Sequence, residues 1–263
     1  MSRQSVDGRN QPGDDAHYNA AMTKQRADLL LVARGLFASR ARAQAAIAAG
    51  RVTADGAPVR KASEAITATA ALEAEAEHPY VSRGGVKLAA ALDHFRLDVS
   101  GRVCLDVGAS TGGFTQVLAQ RGAKRVYAVD VGSDQLHASL RPHANIVSME
   151  HTDIRKLDAA RFAEVLDFAA VDVSFISLKL VLPAIGKLLQ PRATLVALIK
   201  PQFEAPRRDI KKGIVRDAAV HRAACADIAA ALTALGWRVG GRMPSPIPGG
   251  EGNREFFIEA ARG

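Results

Sequence analysis

A glycine-rich segment that begins with an acidic residue has the composition of a ligand-binding turn. Asp106 ends a strand-like apolar run, and a helical pattern resumes after the pair Gly112-Gly113. Glycine lets the backbone approach a ligand closely, and ligands of open parallel sheets bind where the strands end. The segment therefore predicts a site made by Asp106, Gly108, Ser110, Thr111, Gly112, Gly113 and Phe114.

Two more aspartates follow later predicted strands. Asp130 stands where a carboxylate would accept hydrogen bonds from ribose hydroxyls, and Asp153 stands where a third strand should finish. Each aspartate alone could simply cap a helix, but three at successive strand ends favour a nucleoside-containing cofactor. The turn lacks the GxGxxG spacing that makes room for a pyrophosphate, which disfavours NAD. S-adenosylmethionine, which has no phosphates, is therefore the predicted cofactor.

A parallel sheet flanked by helices would bring these residues together. Strand-like runs alternate with helical segments, a pattern typical of an α/β fold with a Rossmann-like sheet. One further strand candidate, at 255–259, follows a Pro- and Gly-rich loop and is predicted to be an added edge strand. The other runs lie at residues 103–107, 125–130, 168–173 and 194–199.

The N-terminal part has a different pattern. Helical apolar spacing ends at Gly35, and a second short helix that Ser39 can cap ends at Gly50. Asp55-Gly56 between two short strand-like segments is a strong hairpin signal. An acidic stretch at 73–77 then indicates a domain junction. We predict a disordered tail over 1–23, a small α+β domain over 24–77 and the α/β domain over 78–263.

The net charge is +8, and much of it lies near one end. Eight basic residues against two acidic ones occur between Lys24 and Lys61, which favours a polyanionic partner, although a solvated basic surface would look the same. Arg40 and Arg42 fall in the first turn of a predicted helix, where a bound phosphate would offset their repulsion by the helix dipole. The predicted RNA contacts are Arg26, Arg34, Arg40, Arg42 and Arg51.

Cysteine usage and hydropathy argue against several classes of protein. Cys104 and Cys225 are the two cysteines, without a CxxC pair or a Cys/His cluster, so we expect neither a disulfide framework nor a bound metal. The longest apolar run, at 193–199, is far shorter than the ~20 residues of a membrane helix. We therefore expect a monomeric cytoplasmic protein that does not enter the membrane.

Five motifs carry a close resemblance to a known family. They are Tyr80-Val-Ser-Arg-Gly-Gly-Val-Lys87-Leu, Cys104-Leu-Asp-Val-Gly-Ala-Ser-Thr-Gly-Gly-Phe-Thr, Asp172-Val-Ser-Phe-Ile-Ser, Lys200-Pro-Gln-Phe-Glu and Gly252-Asn-Arg-Glu255-Phe-Phe. From about residue 24 to its end the chain resembles the TlyA-type proteins, some of which carry a haemolysin label. The resemblance implies an RNA-binding domain of the ribosomal protein S4 type joined to an FtsJ-type methyltransferase domain, which methylates cytidine ribose 2'-hydroxyls in ribosomal RNA or ribosomal subunits.

The same resemblance implies a catalytic tetrad of Lys87, Asp172, Lys200 and Glu255. Methyl transfer needs an aligned hydroxyl oxygen and stabilisation of the negative charge that builds on it, which lysines can supply. A neighbouring carboxylate favours a charged lysine, so we expect Lys200 to stabilise the oxygen rather than to accept its proton. Lys87 and Glu255 would orient the ribose and the lysines.

Two other classes of function stay open at this point. The chain could be a ribosome-associated RNA-binding factor whose methyltransferase fold lacks activity, and failure to bind the cofactor would support that alternative. It could also be a membrane-lytic protein, which leakage of lipid vesicles by the pure protein would reveal. The intact tetrad and glycine-rich turn favour the enzyme.

Overall fold

The computed structural model describes residues 23–37, 39–74, 78–249 and 252–263. The chain divides into two compact units, Met1–Pro79 and Tyr80–Gly263. Residues 1–22 of the predicted tail lie outside the described residues.

The N-terminal unit combines two helices with short strands. Ser39 caps the second helix by accepting a hydrogen bond from the Arg42 N–H, as the sequence predicted. Asp55 and Gly56 both have positive φ, the conformation that a tight hairpin needs between its strands. The elements are β1 (Lys24–Arg26), α1 (Ala27–Ala33), α2 (Arg40–Ala48), β2 (Val52–Ala54), β3 (Ala57–Pro58), β4 (Ala65–Thr67) and β5 (Leu72–Ala74).

The C-terminal unit is built on one seven-stranded sheet. The elements are α3 (Arg83–Phe95), β6 (Val103–Val107), α4 (Gly113–Gln120), β7 (Arg125–Val129), β8 (Ile146–Met149), β9 (Leu166–Val171), α5 (Leu178–Leu188), β10 (Leu189–Ile199), α6 (Pro201–Glu204), α7 (Ala218–Ala234), β11 (Arg238–Pro244) and β12 (Phe256–Ala261). The strand order is β11-β12-β10-β9-β6-β7-β8. Strands β6 to β10 run parallel, whereas β12 is antiparallel to both β10 and β11.

Helices cover both faces of this sheet. Apolar residues of α5 and α7, such as Leu182 and Ile228, belong to one buried cluster. Residues of α3 and α4, such as Leu92 and Leu118, belong to a second cluster on the other face, which includes Phe257 of β12. Strand β7, which follows β6 in the chain, lies on one side of β6, and β9 lies on the other side. The strand order reverses at β6, and this reversal creates a crevice at the carboxyl ends of the strands.

Two details differ from the sequence prediction. The prediction that the last strand is an edge strand is wrong, because β12 lies between β10 and β11 and its Phe257 is fully buried. The true edge strand, β11, was missed because Gly240 and Gly241 interrupt its pattern. The third strand ends at Met149, so Asp153 lies four residues beyond it instead of at its end.

Candidate functional site

The turn after β6 approaches the segment that follows β9. Gly108 and Gly112 have φ of 84° and 94°, a region that favours glycine. A Cβ on Gly108 would collide with the carbonyl oxygen of Asp172, and one on Gly113 would collide with Ser82 Oγ. Glycine at these two positions therefore lets the turn pack closely against Asp172 and Ser82.

Asp106 lies behind this turn and is fully buried. Its Oδ2 accepts a hydrogen bond from Thr115 Oγ1 at 2.6 Å, while its Oδ1 has no hydrogen-bond partner among the described residues. Burial raises the pKa of Asp106 to about 7, and the negative charges of Asp172 and Asp130 act in the same direction. An unpaired buried carboxylate oxygen is costly, and a cationic ligand group would satisfy it.

The other two predicted cofactor aspartates have different surroundings. Asp130 accepts hydrogen bonds from the backbone N–H groups of Ser110 at 2.8 Å and Gly132 at 2.7 Å, so it ties the end of β7 to the glycine-rich turn. Asp153 caps a short 3₁₀ helix and pairs with Arg155 at 2.7 Å, and these hydrogen bonds lower the pKa of Asp153 to about 2. Asp153 is thus engaged within its own loop.

A cleft of about 190 Å³ opens beside the turn and joins many of the predicted residues. Its other walls are Ser82, Gly84, Ala109 and Ser174, which the sequence analysis did not single out. Five residues predicted for this site are not walls of the cleft, namely Asp106, Gly112, Asp130, Asp153 and Glu255. Glu255 reaches the cleft through its contact with a lysine. The predicted residues on the walls are Lys87, Gly108, Ser110, Thr111, Gly113, Phe114, Asp172 and Lys200.

Two lysine–carboxylate pairs stand at this cleft. Lys200 Nζ lies 2.6 Å from Asp172 Oδ1 and donates a hydrogen bond to Ser174 Oγ at 2.8 Å. Lys87 Nζ donates to Glu255 Oε2 at 2.5 Å, and both residues are buried. These residues are far apart in sequence. They meet because β9 and β10 end where β12 begins, at the same end of the sheet.

An exposed aromatic residue that the sequence analysis missed follows Asp172 by three positions. Phe175 is 92% exposed and has a φ of 63°, a conformation that is rare for a bulky residue. Its ring centroid lies 5.2 Å from that of Phe203, which follows Lys200 by three positions. The signal was present in the motif, where a phenylalanine follows a predicted strand end.

In the N-terminal unit, several predicted RNA contacts have internal partners. Arg26 and Arg40 each lie 3.0 Å from a carboxylate oxygen of Asp28, and Arg34 donates hydrogen bonds to the carbonyl oxygens of Ala68 and Ala70. Asp28 thus supplies a negative charge beside Arg40 at the start of α2, where the sequence suggested a bound phosphate. All five arginines stay predicted RNA contacts.

Comparison with known proteins agrees with this architecture. The model of the FtsJ-like methyltransferase family matches residues 80–262, which is more than half of the chain. The chain belongs to this family. An S4 domain model matches residues 25–70 of this FtsJ-like protein. The predicted resemblance and the predicted fold class are therefore confirmed.

Relatives and solved structures extend the match. The "16S/23S rRNA (cytidine-2'-O)-methyltransferase TlyA" of Mycobacterium tuberculosis is 42% identical over 238 residues, 89% of each chain. A chain from Streptococcus thermophilus, solved as a candidate hemolysin, has a TM-score of 0.74 and 44% identity, and the match covers 92% of this chain and 90% of that one. An S-adenosylmethionine dependent methyltransferase from Listeria monocytogenes shares the fold, with a TM-score of 0.52 and 15% identity over 69% of this chain and 100% of that one.

Proposed function

We propose that this FtsJ-like protein transfers the methyl group of S-adenosylmethionine to a cytidine ribose 2'-hydroxyl of ribosomal RNA. The observation that carries the proposal is the convergence of Lys200–Asp172 and Lys87–Glu255 at the cleft beside the glycine-rich turn. The match to TlyA, whose name states this reaction, supports it. We expect the protein to act in the cytoplasm, where ribosomes are assembled.

The residues around the turn fit S-adenosylmethionine. The unpaired Oδ1 of Asp106 suits a cationic group. Gly108 and Gly113 line the cleft, and because they have no side chain the cofactor can approach their backbone there. Asp130 retains lone pairs for ribose hydroxyls beyond its two backbone hydrogen bonds. When bound, S-adenosylmethionine supplies an electrophilic methyl group on a sulfonium.

Lys200 would act on the attacking hydroxyl oxygen. Its ammonium group is fixed by Asp172 and Ser174, so it can donate a hydrogen bond to the oxygen as negative charge builds there. An ammonium group has no lone pair with which to accept a proton, so the hydroxyl proton would pass to solvent or to a phosphate. Lys87, held by Glu255, would orient the ribose. Phe175 offers an exposed ring on which an unstacked base could rest.

The N-terminal domain, residues 24–77, would recruit the RNA. Its match to an S4 domain and its basic residues support this role, and the candidate phosphate contacts are Arg26, Arg34, Arg40, Arg42 and Arg51. Deleting residues 1–77 should therefore weaken RNA binding and its salt dependence while leaving cofactor binding intact, since fewer phosphate contacts release fewer counterions. Equal RNA affinity of the truncated chain would contradict this role.

Lys200→Ala tests the proposed reaction. Loss of a preorganised donor at the reacting oxygen should slow single-turnover methylation of unmethylated ribosomal subunits by about 100- to 1000-fold. Lys200→Arg should also be slow, because a planar guanidinium does not replace a compact ammonium. Lys187→Ala, at an exposed position on α5, is the matched control. Normal methylation by Lys200→Ala, with cofactor binding intact by calorimetry, would refute the mechanism.

The rival functions have their own measurements. A wild-type protein that binds ribosomal subunits but neither binds the cofactor nor methylates RNA would be an inactive RNA-binding factor. Leakage of lipid vesicles by the pure protein would favour a membrane-lytic function. Within the described part of the chain, no helix has both the length and the hydropathy needed to cross a membrane.

A further inference from the structure

A second cleft, of about 300 Å³, lies beside the first turns of α7, the end of β11 and the start of β12. Pro244, on its wall, pairs with Phe256, which itself pairs with the carboxyl-terminal Ile199 of β10. The cleft therefore opens at the end of the sheet where the parallel strands finish, which is also the end that carries Glu255. We call it the arginine groove, because Arg222, Arg242 and Arg254 stand around a floor of Cys225, Met243 and Phe256.

Buried polar residues hold the walls of the groove in place. The side-chain amide of Asn253 accepts a hydrogen bond from the Val215 N–H at 3.0 Å and donates one to the Gly213 carbonyl at 2.9 Å. His221 Nε2 lies 3.0 Å from the Val215 carbonyl oxygen, and its ring packs 5.6 Å from that of Phe256. These contacts join the segment before α7 to the loop that precedes β12, so the groove is preorganised.

The arginines of the groove have no ion-pair partner among the described residues. Arg222, Arg242 and Arg254 are exposed, and none forms an ion pair or a side-chain hydrogen bond with another described residue. The neighbouring carboxylate of Asp217 instead caps α7 through the Ala219 N–H. Edge strands often carry basic residues that prevent aggregation, which could explain Arg242 on β11. It does not explain the two arginines contributed by α7 and by the loop before β12.

We propose that the arginine groove binds the phosphate backbone of the ribosomal RNA strand next to the nucleotide that is methylated. This inference depends on the proposed function. Exposed arginines in an open groove suit an extended polyanion, whereas a small anionic ligand would be largely enclosed. Their planar guanidinium groups match phosphate oxygens, and the apolar floor can contact sugars or base faces. Phe256 on the floor of the groove pairs with Ile199, the residue before Lys200, so a strand in the groove would lead towards the site.

A charge-matched pair of variants tests the groove in the full chain. The first replaces Arg222, Arg242 and Arg254 by glutamine. The second makes the same change at three exposed residues near strand starts. Arg96 precedes β6, Arg161 precedes β9 and Arg192 lies near the start of β10. The parallel strands begin at one end of the sheet, and the site lies at the other end. This control therefore removes equal charge far from the groove.

Binding of each variant to unmethylated ribosomal subunits should be measured across a series of potassium chloride concentrations. The groove variant should bind roughly tenfold more weakly, and its log–log salt slope should fall by about 2, as expected for three contacts to a single strand. The control should match wild type, and all three proteins should bind S-adenosylmethionine equally. If the triple groove variant fails to fold, each single glutamine substitution should still lower the slope by about 0.7.

Two results separate the groove from the enzyme. A folded groove variant with the affinity and salt slope of the control would overturn the groove proposal, even if the wild type methylates ribosomal RNA. A wild type that transfers no methyl group to ribosomal RNA, but whose salt-dependent RNA binding requires the three arginines, would refute the proposed function and support the groove as an RNA surface.

Discussion

Asp28 in the N-terminal unit and Asp106 in the C-terminal unit are both fully buried, yet their hydrogen bonding differs sharply. Asp28 accepts hydrogen bonds from Arg26, Arg40 and Gln44. Asp106 accepts one from Thr115, and its Oδ1 has no partner among the described residues. A carboxylate saturated by its own fold stabilises that fold, whereas one left with an unpaired oxygen is available to a ligand.

The pKa values of the two aspartates move in opposite directions. The hydrogen bonds from Arg26 and Gln44 hold the pKa of Asp28 well below its ordinary value of 3.8, so Asp28 stabilises the fold above that pH and loses this contribution on acidification. Burial raises the pKa of Asp106 from 3.8 to about 7, so its ionisation lowers the free energy of unfolding as the pH rises through that window. A bound cation would offset this cost.

The largest expected effect on the cofactor site comes from Asp106→Asn. Removing the charge should weaken binding of S-adenosylmethionine by about 1 to 3 kcal/mol, or roughly 5- to 150-fold, because the cationic group loses its buried partner. Isothermal titration calorimetry at about pH 8 measures this directly. Unchanged affinity would show that Asp106 does not bind the cofactor. Its unpaired oxygen would then not distinguish it functionally from Asp28.

A somewhat smaller effect is expected from pH alone. If the ionised form of Asp106 binds the cofactor, wild-type affinity should rise about tenfold between about pH 6 and about pH 8, since the competent fraction of the protein increases. The Asp106→Asn variant should show a flat profile over the same range. A wild-type profile as flat as that of the variant would contradict a role for the ionisation of Asp106.

Thr115→Val should have a milder effect. It removes the hydroxyl group that donates to Asp106 Oδ2 and that lowers the pKa of this carboxyl. We expect cofactor affinity near neutral pH to fall by about 0.5 to 1.5 kcal/mol and the midpoint of the pH profile to move upwards. A midpoint that stays in place, in a folded variant, would show that Thr115 does not control the ionisation of Asp106.

Asp28→Asn should leave cofactor affinity unchanged and act on stability alone. The charge-assisted hydrogen bonds from Arg26 and Arg40 weaken, so the N-terminal unit should melt at a lower temperature and lose its acid sensitivity below about pH 4. Asp106→Asn should instead make the C-terminal unit more stable at about pH 8, by removing a buried charge. Differential scanning calorimetry compares the two, and a shared direction of change would break the contrast.

Local patterns were sufficient to predict the fold class and the turn. Alternation of apolar runs with helical segments indicated the sheet, and Asp55-Gly56 marked a hairpin that the structure contains. These signals are local because turn conformation and strand pairing by short hairpins depend on a few adjacent residues. The catalytic and RNA-binding assignments stay predictions, although the structure brings Lys87, Asp172 and Lys200 to one cleft.

The sequence by itself determined which residue types were available at the strand ends and where the backbone could turn tightly. The tertiary structure alone decided that Lys87 meets Glu255, 168 positions away, that β12 lies inside the sheet, and that Asp28 compensates Arg40. It also decided that one oxygen of Asp106 has no partner in the described structure. These outcomes depend on strand order and burial, which are set by packing between distant segments and leave no periodic signal in any one of them.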